Sequence, residues 1–324
     1  METAANKMEN TKEVAMENET RQSTFTDLIQ PHLKDYCPAS NLAFNEKVKR
    51  LIADGQKVYH LGFGQSPFPI LDGAVKKLQQ HANENAYLPV QGLPELRSKI
   101  CEFHRKLDGL THLKPDNVII APGSKELIYL LLAVFNGDVL VLSPTWTTYK
   151  PQSQLAHHKA VVIQTTENDD WRVTPENIEK VISENNLLLI LCNPDNPSKE
   201  LTSVGITAVM PTAGYYIFPN FEILRSVLAA RGITTGTQMC DTIFDEVNVA
   251  LMSGGPAFLR PGNEFTVRLC FINFDGTEAL KASKKLGTEK DIDDEFLKQY
   301  CLTTVEAIQA LKKWVKDQLE TGSK

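Results

Sequence analysis

Short, fully apolar runs alternate with helical patterns between residues 118 and 191, and this alternation most constrains the fold. The apolar runs are residues 118–121, 139–142 and 187–191. Helical spacing of apolar residues is found between them, at 125–134 and 175–183. Strands without polar residues are typical of a parallel sheet that helices cover on both faces. The sequence therefore predicts an α/β fold around a parallel sheet.

The regular alternation ends abruptly after Pro197. The remainder favours a smaller α+β domain that ends in a long amphipathic helix. Strands are predicted there at residues 206–209, 215–218 and 267–272, and helices at 221–231, 237–246 and 303–319. Before the sheet, helical spacing predicts helices at 41–54, 70–80 and 94–107. We predict four segments, namely a disordered tail (1–24), an N-terminal part of the small domain (25–60), a truncated large domain (61–198) and a C-terminal small domain (199–324).

Composition excludes several classes of function. The chain has 324 residues, 42% of them hydrophobic, and a net charge of −6, which is typical of a mildly acidic globular protein. It has no long basic run, so nucleic acid and membrane surfaces are not expected partners. The six cysteines include no CxxC pair, and residues 1–24 do not resemble a signal or transit peptide. We therefore expect no metal site and a cytoplasmic location.

Two turns carry candidate ligand-binding residues. Gly123, Ser124 and Lys125 lead from an apolar run into a helix, where backbone N–H groups and the helix dipole favour an anion such as phosphate. A glycine turn with a helix cap fits the same residues. Residues 193–197 (Asn-Pro-Asp-Asn-Pro) follow the last apolar run, at the sheet edge where open α/β sheets bind ligands. An ordinary rigid turn also fits them.

Four motifs in order resemble the class I and II aminotransferases, of the aspartate aminotransferase type. They are residues 87–97, 123–125, 143–149 and 193–197, and residues 214–219 and 268–271 are similar to the C-terminal domain of that family. The resemblance implies a pyridoxal phosphate enzyme of fold type I. It also implies a homodimer that transfers an amino group between a small L-amino acid and a 2-oxo acid.

The resemblance implies a role for each matching residue. Ser124 and the amides of Gly123 to Lys125 would hold the cofactor phosphate, Trp146 would stack on the pyridine ring, and Asn193 would donate to the ring oxygen. Trp146 could instead be a simple core residue, and Arg268 a surface residue on a strand.

Three further residues are implied to contact the substrate or the neighbouring subunit. Arg268 would bind the substrate α-carboxylate through its bidentate fork, and Gly64 would allow the backbone to approach that carboxylate. Tyr87 would reach the phosphate of the neighbouring subunit's site.

The family's central features have no counterpart in this sequence. In the family, the turn at 193–197 is followed by a strand with Asp and Tyr and by a Ser-x-x-Lys motif, whose lysine forms the Schiff base. Here residues 198–205 lead almost directly into the C-terminal part, so roughly a hundred residues or more are expected to be absent. Asp245 is rejected as the pyridine partner, because position 248 is Asn instead of the family's Tyr. No lysine near the family landmarks (Lys199, Lys281, Lys284 and Lys285) lies in a Ser-x-x-Lys motif.

Three hypotheses follow from this pattern. The first is an aminotransferase-family protein that is catalytically defective because the lysine and the acidic partner of the pyridine nitrogen are absent. The second is a non-catalytic subunit or regulator that pairs with a full-length relative. The third is an incomplete splice form or gene model. Because the Schiff-base lysine is absent, we expect no catalytic residue in this chain, and non-covalent and weak binding of any cofactor.

Overall fold

The computed structural model describes residues 29–33, 40–185, 187–192, 200–209, 214–287 and 289–322. The predicted tail at 1–24 and the turn at 193–197, with Asn193, lie outside the described residues. Within the described ranges, every helix is too short or too polar to cross a lipid bilayer.

Helices make up most of the regular structure. They are α1 (Ser40–Ala53), α2 (Asp72–Gln80), α3 (Pro94–Leu107), α4 (Ser124–Val134), α5 (Tyr149–Leu155), α6 (Pro175–Glu179), α7 (Arg225–Ala230), α8 (Gly236–Val247), α9 (Gly276–Leu286), α10 (Asp294–Tyr300) and α11 (Leu302–Thr321). Local chemistry explains several of their ends. Thr235 caps α8 by accepting from the amide of Gln238, and Asn248 ends that helix in the left-handed conformation.

The strands form three small sheets. They are β1 (Tyr59–His60), β2 (Asp138–Ser143), β3 (Ala160–Gln164), β4 (Leu187–Ile190), β5 (Tyr216–Ile217), β6 (Val249–Ala250), β7 (Met252–Ser253) and β8 (Val267–Cys270). The order β3-β2-β4 is parallel, and the order β5-β8-β7 is antiparallel. Strand β1 pairs in parallel with β6, which joins the N-terminal and C-terminal parts of the chain.

Apolar side chains pack against both faces of the central strand β2, as predicted. Val139 and Val141 of β2 pack with Leu132 of α4, whereas the alternating Leu140 and Leu142 pack on the opposite side. Since successive side chains of a strand point to opposite faces, an all-apolar strand is the sequence signature of this arrangement.

The largest hydrophobic core lies in the C-terminal part. It includes Phe221, Phe265, Met239, Leu311 and Trp314, all almost completely buried. Helix α11 contributes Leu311 and Trp314 from its buried face, and the indole Nε1 of Trp314 donates to Glu246 over 2.6 Å. The buried residues of this core include none from β2, β3 or β4, so its packing is separate from that of the parallel sheet.

The predicted strand at residues 118–121 is wrong. These residues are not in a strand, and Ile119 is exposed. Their polar backbone groups pair elsewhere, because the amide of Ile120 donates to Gln91 O and the carbonyl of Val118 accepts from Arg97 Nε. A strand needs a neighbouring strand for its ladder, and none of the described strands pairs with this run.

Other differences are smaller. The predicted strand at 206–209 is reduced to an isolated bridge at Thr207, and the helix predicted at 175–183 ends at Glu179. Strands β3, β6 and β7 and helices α5, α9 and α10 were not predicted. Most helices that carry a clear apolar stripe were predicted to within a few residues, because their pattern is local.

Truncating Leu311 should test the C-terminal core. Leu311 is fully buried, so Leu311→Ala is expected to lower the free energy of unfolding by about 2–5 kcal/mol. Leu302 lies on the same helix and is half exposed, so Leu302→Ala should change that free energy by no more than about 0.5 kcal/mol. Urea unfolding followed by circular dichroism measures both. Equal losses for the two variants would contradict the packing of α11.

Candidate functional site

The start of α4 has the geometry of an anion site. Gly123 precedes the helix with φ 96°, a conformation that favours glycine, and an added Cβ would meet no atom within 4 Å. Glycine is therefore needed for its backbone freedom and not for space. Ser124 is the first residue of the helix, where unpaired amides and the helix dipole attract a negative charge. Gln152 Nε2 donates to Lys125 O over 2.7 Å and fastens α5 to this turn.

Trp146 follows β2 and is held beside the start of α4. Its ring is edge-on to Tyr149, with centroids 5.4 Å apart, and Lys125 Nζ lies 5.5 Å from the Trp146 centroid. Both contacts are favourable for an indole. The neighbouring Thr145 is buried, and its Oγ1 has no hydrogen-bond partner among the described residues.

Arg268 of β8 lies between two aromatic rings. Its Cζ is 4.5 Å from the centroid of Tyr216 and 4.7 Å from that of Phe258. Its Nη2 donates to Gly62 O over 2.8 Å. Stacking on aromatic faces fixes the plane of a guanidinium, which lysine could not reproduce. The side chain is thus oriented before any ligand arrives.

Tyr216 connects Arg268 to the Gly64 backbone. Its hydroxyl donates to Gly64 O over 3.3 Å. A Cβ at Gly64 would overlap the Tyr216 ring and hydroxyl, so glycine is required there by the close approach. Burial raises the pKa of Tyr216, and the positive charge of Arg268 partly opposes that shift. The Tyr216 hydroxyl therefore keeps its proton, and with it the hydrogen bond to Gly64, at pH values above the usual pKa of tyrosine.

A cavity of about 400 Å³ brings these groups together. Its walls include Ser124, Trp146 and Arg268, three residues that the sequence predicted for one site. The other lining residues are Ile128, Pro144, Thr145, Tyr149, Cys192, Tyr216, Ile217, Phe218 and Phe258. Its volume is within the range of ordinary small-molecule sites.

The other predicted site residues that the structure describes do not themselves line the cavity. Gly64 is joined to the cavity wall by the Tyr216 hydrogen bond, and Gly123 and Lys125 flank Ser124. Tyr87 is fully exposed and does not line the cavity. Sequence reasoning assigned no role to Tyr216 or Phe258, although Tyr216 lies in a stretch similar to the family's C-terminal domain. Phe258 is 10 positions and Tyr216 is 52 positions from Arg268, so no regular spacing in the sequence indicates that both rings contact its guanidinium.

Arg260 holds the two halves of the cavity together. Its Nε and Nη2 donate to the carboxylate of Glu264, at 2.8 and 2.7 Å. Its Nη1 reaches Thr165 O at 2.9 Å and Gln164 Oε1 at 2.8 Å, beyond the end of β3. The segment that carries Phe258 is thereby fastened to the edge of the parallel sheet, and Ser143 Oγ donates to Phe258 O as well.

Comparison with known proteins identifies the family. Residues 56–198 match the model described as aminotransferase class I and II. Over this segment, the chain belongs to the class I and II aminotransferases. An aspartate aminotransferase of Geobacillus stearothermophilus is 33% identical over 225 residues, which are 67% of this chain and 51% of that protein. An aspartate aminotransferase of Bacillus subtilis is 29% identical over 181 residues, 52% of this chain and 45% of that protein.

Solved aminotransferases share the fold. The crystal structure of aspartate aminotransferase from Thermotoga maritima has a TM-score of 0.68 at 16% identity, covering 89% of this chain and 100% of that one. The Thermus thermophilus enzyme with maleate has a TM-score of 0.68 at 15% identity, covering 88% and 99%. Fold type I, as predicted, is thus confirmed. By sequence, the chain spans about half the length of the curated aminotransferases it matches.

Replacing Arg260 should loosen the junction. Arg260→Leu removes the cation that pairs with the Glu264 carboxylate and the guanidinium donor to the carbonyl of Thr165, so the free energy of unfolding is expected to fall by about 3–5 kcal/mol. Arg50→Leu is the control, because Arg50 pairs with Glu46 at an exposed site and should cost less than about 1 kcal/mol. Denaturant unfolding measures both. A loss at Arg260 no larger than at Arg50 would show that the junction is held by other contacts.

Proposed function

We propose that the chain binds pyridoxal phosphate in the Ser124–Trp146–Arg268 cavity and is defective in transferring amino groups between a small L-amino acid and a 2-oxo acid. The observation that carries the proposal is the meeting of these three side chains on the walls of one cavity. The family match over residues 56–198 supports it, since aminotransferases of this class use that cofactor.

The cavity fits the phosphate and the ring of the cofactor. Ser124 and the first amides of α4 offer donors and a positive dipole end to the phosphate. Trp146 offers an aromatic surface to the ring. The buried Thr145 hydroxyl has no hydrogen-bond partner among the described residues, so a polar atom of the cofactor would satisfy it. Asn193 is assigned to the ring oxygen by the resemblance alone. When bound, pyridoxal phosphate supplies an aldehyde and an electron-accepting ring.

Arg268 would bind the α-carboxylate of the substrate. Its guanidinium is presented to the cavity by the Tyr216 and Phe258 rings. The Tyr216 hydroxyl holds the Gly64 carbonyl, which keeps that stretch of backbone close to the same wall. Carboxylate binding thus needs no rearrangement of these groups.

The described wall of the cavity has no amine for a Schiff base and no carboxylate for the pyridine nitrogen. Among the described residues that line it, none is a lysine, and none is an aspartate or glutamate. Without a lysine there is no amine to anchor the cofactor or move a proton, and a positioned general base contributes about 10²–10⁴-fold in rate. The absence of the segment that carries both groups in the family is part of the proposal.

Two features of the parallel sheet support an absent segment. Strand β4 is only half buried although all four of its residues are apolar. Helix α4 exposes Leu130, Leu131 and Val134 to solvent. In a complete doubly covered sheet, further strands and helices would cover both. A cytoplasmic location also remains part of the proposal, and the isolated cysteines support it.

The exposed apolar residues along α2 and in the stretch before α3 favour a second candidate function. Leu71, Leu78, Leu88 and Val90 are exposed, and Tyr87 among them is fully exposed. Contiguous exposed apolar residues commonly mark a protein interface. A non-catalytic subunit that pairs with a second copy or with a full-length relative would cover them. Co-expression with a full-length relative and sizing of the purified complex test this, and a monomer in both cases would contradict it.

Cofactor binding should be detectable but not covalent. We expect the purified chain to bind pyridoxal phosphate in equilibrium dialysis, and borohydride followed by peptide mapping to label no lysine in stoichiometric amounts. Ser124→Ala removes a donor to the phosphate and should weaken binding about tenfold or more. Ser98→Ala on the exposed face of α3 is the matched control and should have no effect. A single lysine labelled in full, with turnover of an amino acid, would refute the proposed defect.

A further inference from the structure

We infer that the cavity selects a ligand with one carboxylate and an apolar or aromatic side chain over a dicarboxylate. This inference rests on the proposed function, in which Arg268 receives the α-carboxylate, and it names the substrate class of that site. It departs from the substrate in the names of the aspartate aminotransferases that the chain resembles.

Arg268 is the single charged side chain among the described residues that line the cavity. A dicarboxylate needs a second cation, because a buried carboxylate without a partner is strongly disfavoured. Two cations lie nearby, and both have other roles. Arg260 already donates from Nε, Nη1 and Nη2 to Glu264 and to acceptors at the end of β3. Lys125 lies beside Ser124, at the end of the cavity proposed for the phosphate.

Apart from Ser124, Thr145 and Cys192, the rest of the described wall is apolar or aromatic. Around Arg268 and Trp146 it is formed by side chains that offer little to a second anion, namely Ile128, Pro144, Tyr149, Ile217, Phe218 and Phe258. Phe218 and Phe258 meet edge to face, with centroids 6.0 Å apart. A phenyl or alkyl group placed there would lose its contact with water, which favours binding.

The aromatic wall and the cation are one unit. Phe258 contacts the Arg268 guanidinium on one side and Phe218 on another. A ligand held by its carboxylate at Arg268 therefore starts from a point that these rings surround. Its side chain has apolar surface to meet before it can reach any other charge of the described wall.

The preference can be measured with two small acids and the full chain, without cofactor. The probes are 3-phenylpropionate, with one carboxylate and a phenyl ring, and succinate, with two carboxylates. Titration calorimetry is expected to give binding of 3-phenylpropionate roughly tenfold or more tighter than that of succinate. Equal or tighter binding of succinate would overturn the inference, and so would failure of both acids to bind.

Variants locate the binding. Arg268→Gln should abolish binding of 3-phenylpropionate, whereas Arg105→Gln on an exposed face of α3 should leave it unchanged. Arg268→Lys is the second variant in case the first fails to fold, as judged by circular dichroism. It keeps the charge but not the fork, so about tenfold weaker binding with the same order of preference is expected. Unchanged binding in Arg268→Gln, or a reversed preference in Arg268→Lys, would overturn the assignment.

A parallel titration separates this inference from the proposed function. Pyridoxal phosphate is titrated into the same preparation, with equilibrium dialysis as the readout. Selective binding of 3-phenylpropionate without any binding of pyridoxal phosphate would refute the cofactor proposal and leave the ligand preference standing. Binding of pyridoxal phosphate together with a preference for succinate would refute the ligand preference alone.

Discussion

The candidate site depends on the junction that Arg260 makes between the parallel sheet and the C-terminal part of the chain. The guanidinium uses Nε, Nη1 and Nη2, and its acceptors come from both sides of the junction. A charged group is tolerated in a buried place when its donors are paired in this way. Because Phe258 lies on the fastened segment, the ring that orients Arg268 is positioned by a contact outside the cavity itself.

That junction lets two distant parts of the sequence build one cavity. Ser124 and Trp146 come from the segment that matches the aminotransferase family, and Arg268 and Tyr216 come from beyond it. The residues proposed to bind phosphate, ring and carboxylate therefore line one cavity, whereas the described wall includes no residue proposed for proton transfer. Binding and catalysis are separable in such a site, since affinity for a ground state requires only the first set of groups.

The sequence predicted local structure better than it predicted pairing. Helix α3 was predicted with its observed ends, because Pro94 and the apolar stripe behind it are local signals. Residues 118–121 have an equally clear strand composition. A strand also needs a neighbouring strand to pair with, and none of the described strands lies beside these residues. Strand β3 was missed although Val161, Val162 and Ile163 are β-branched, a signal that could have found it. At the site, Arg268 was predicted from a family motif, but its aromatic neighbours could not be, because no spacing in the sequence links 216, 258 and 268.

The apolar edge of the parallel sheet is the feature expected if the segment proposed to be absent once paired with it. Natural sheets protect a true edge with charged residues, proline or a bulge, yet β4 presents Leu187, Leu188, Leu189 and Ile190. Residues 118–121 make the same point independently, since they have the composition of a buried strand and no ladder. Strand β4 pairs with a described strand on one side, and residues 118–121 pair with a described strand on neither side. Both are expected if the strands that once lay beside them are lost, and both leave surface that a partner chain would have to cover for the protein to stay dispersed.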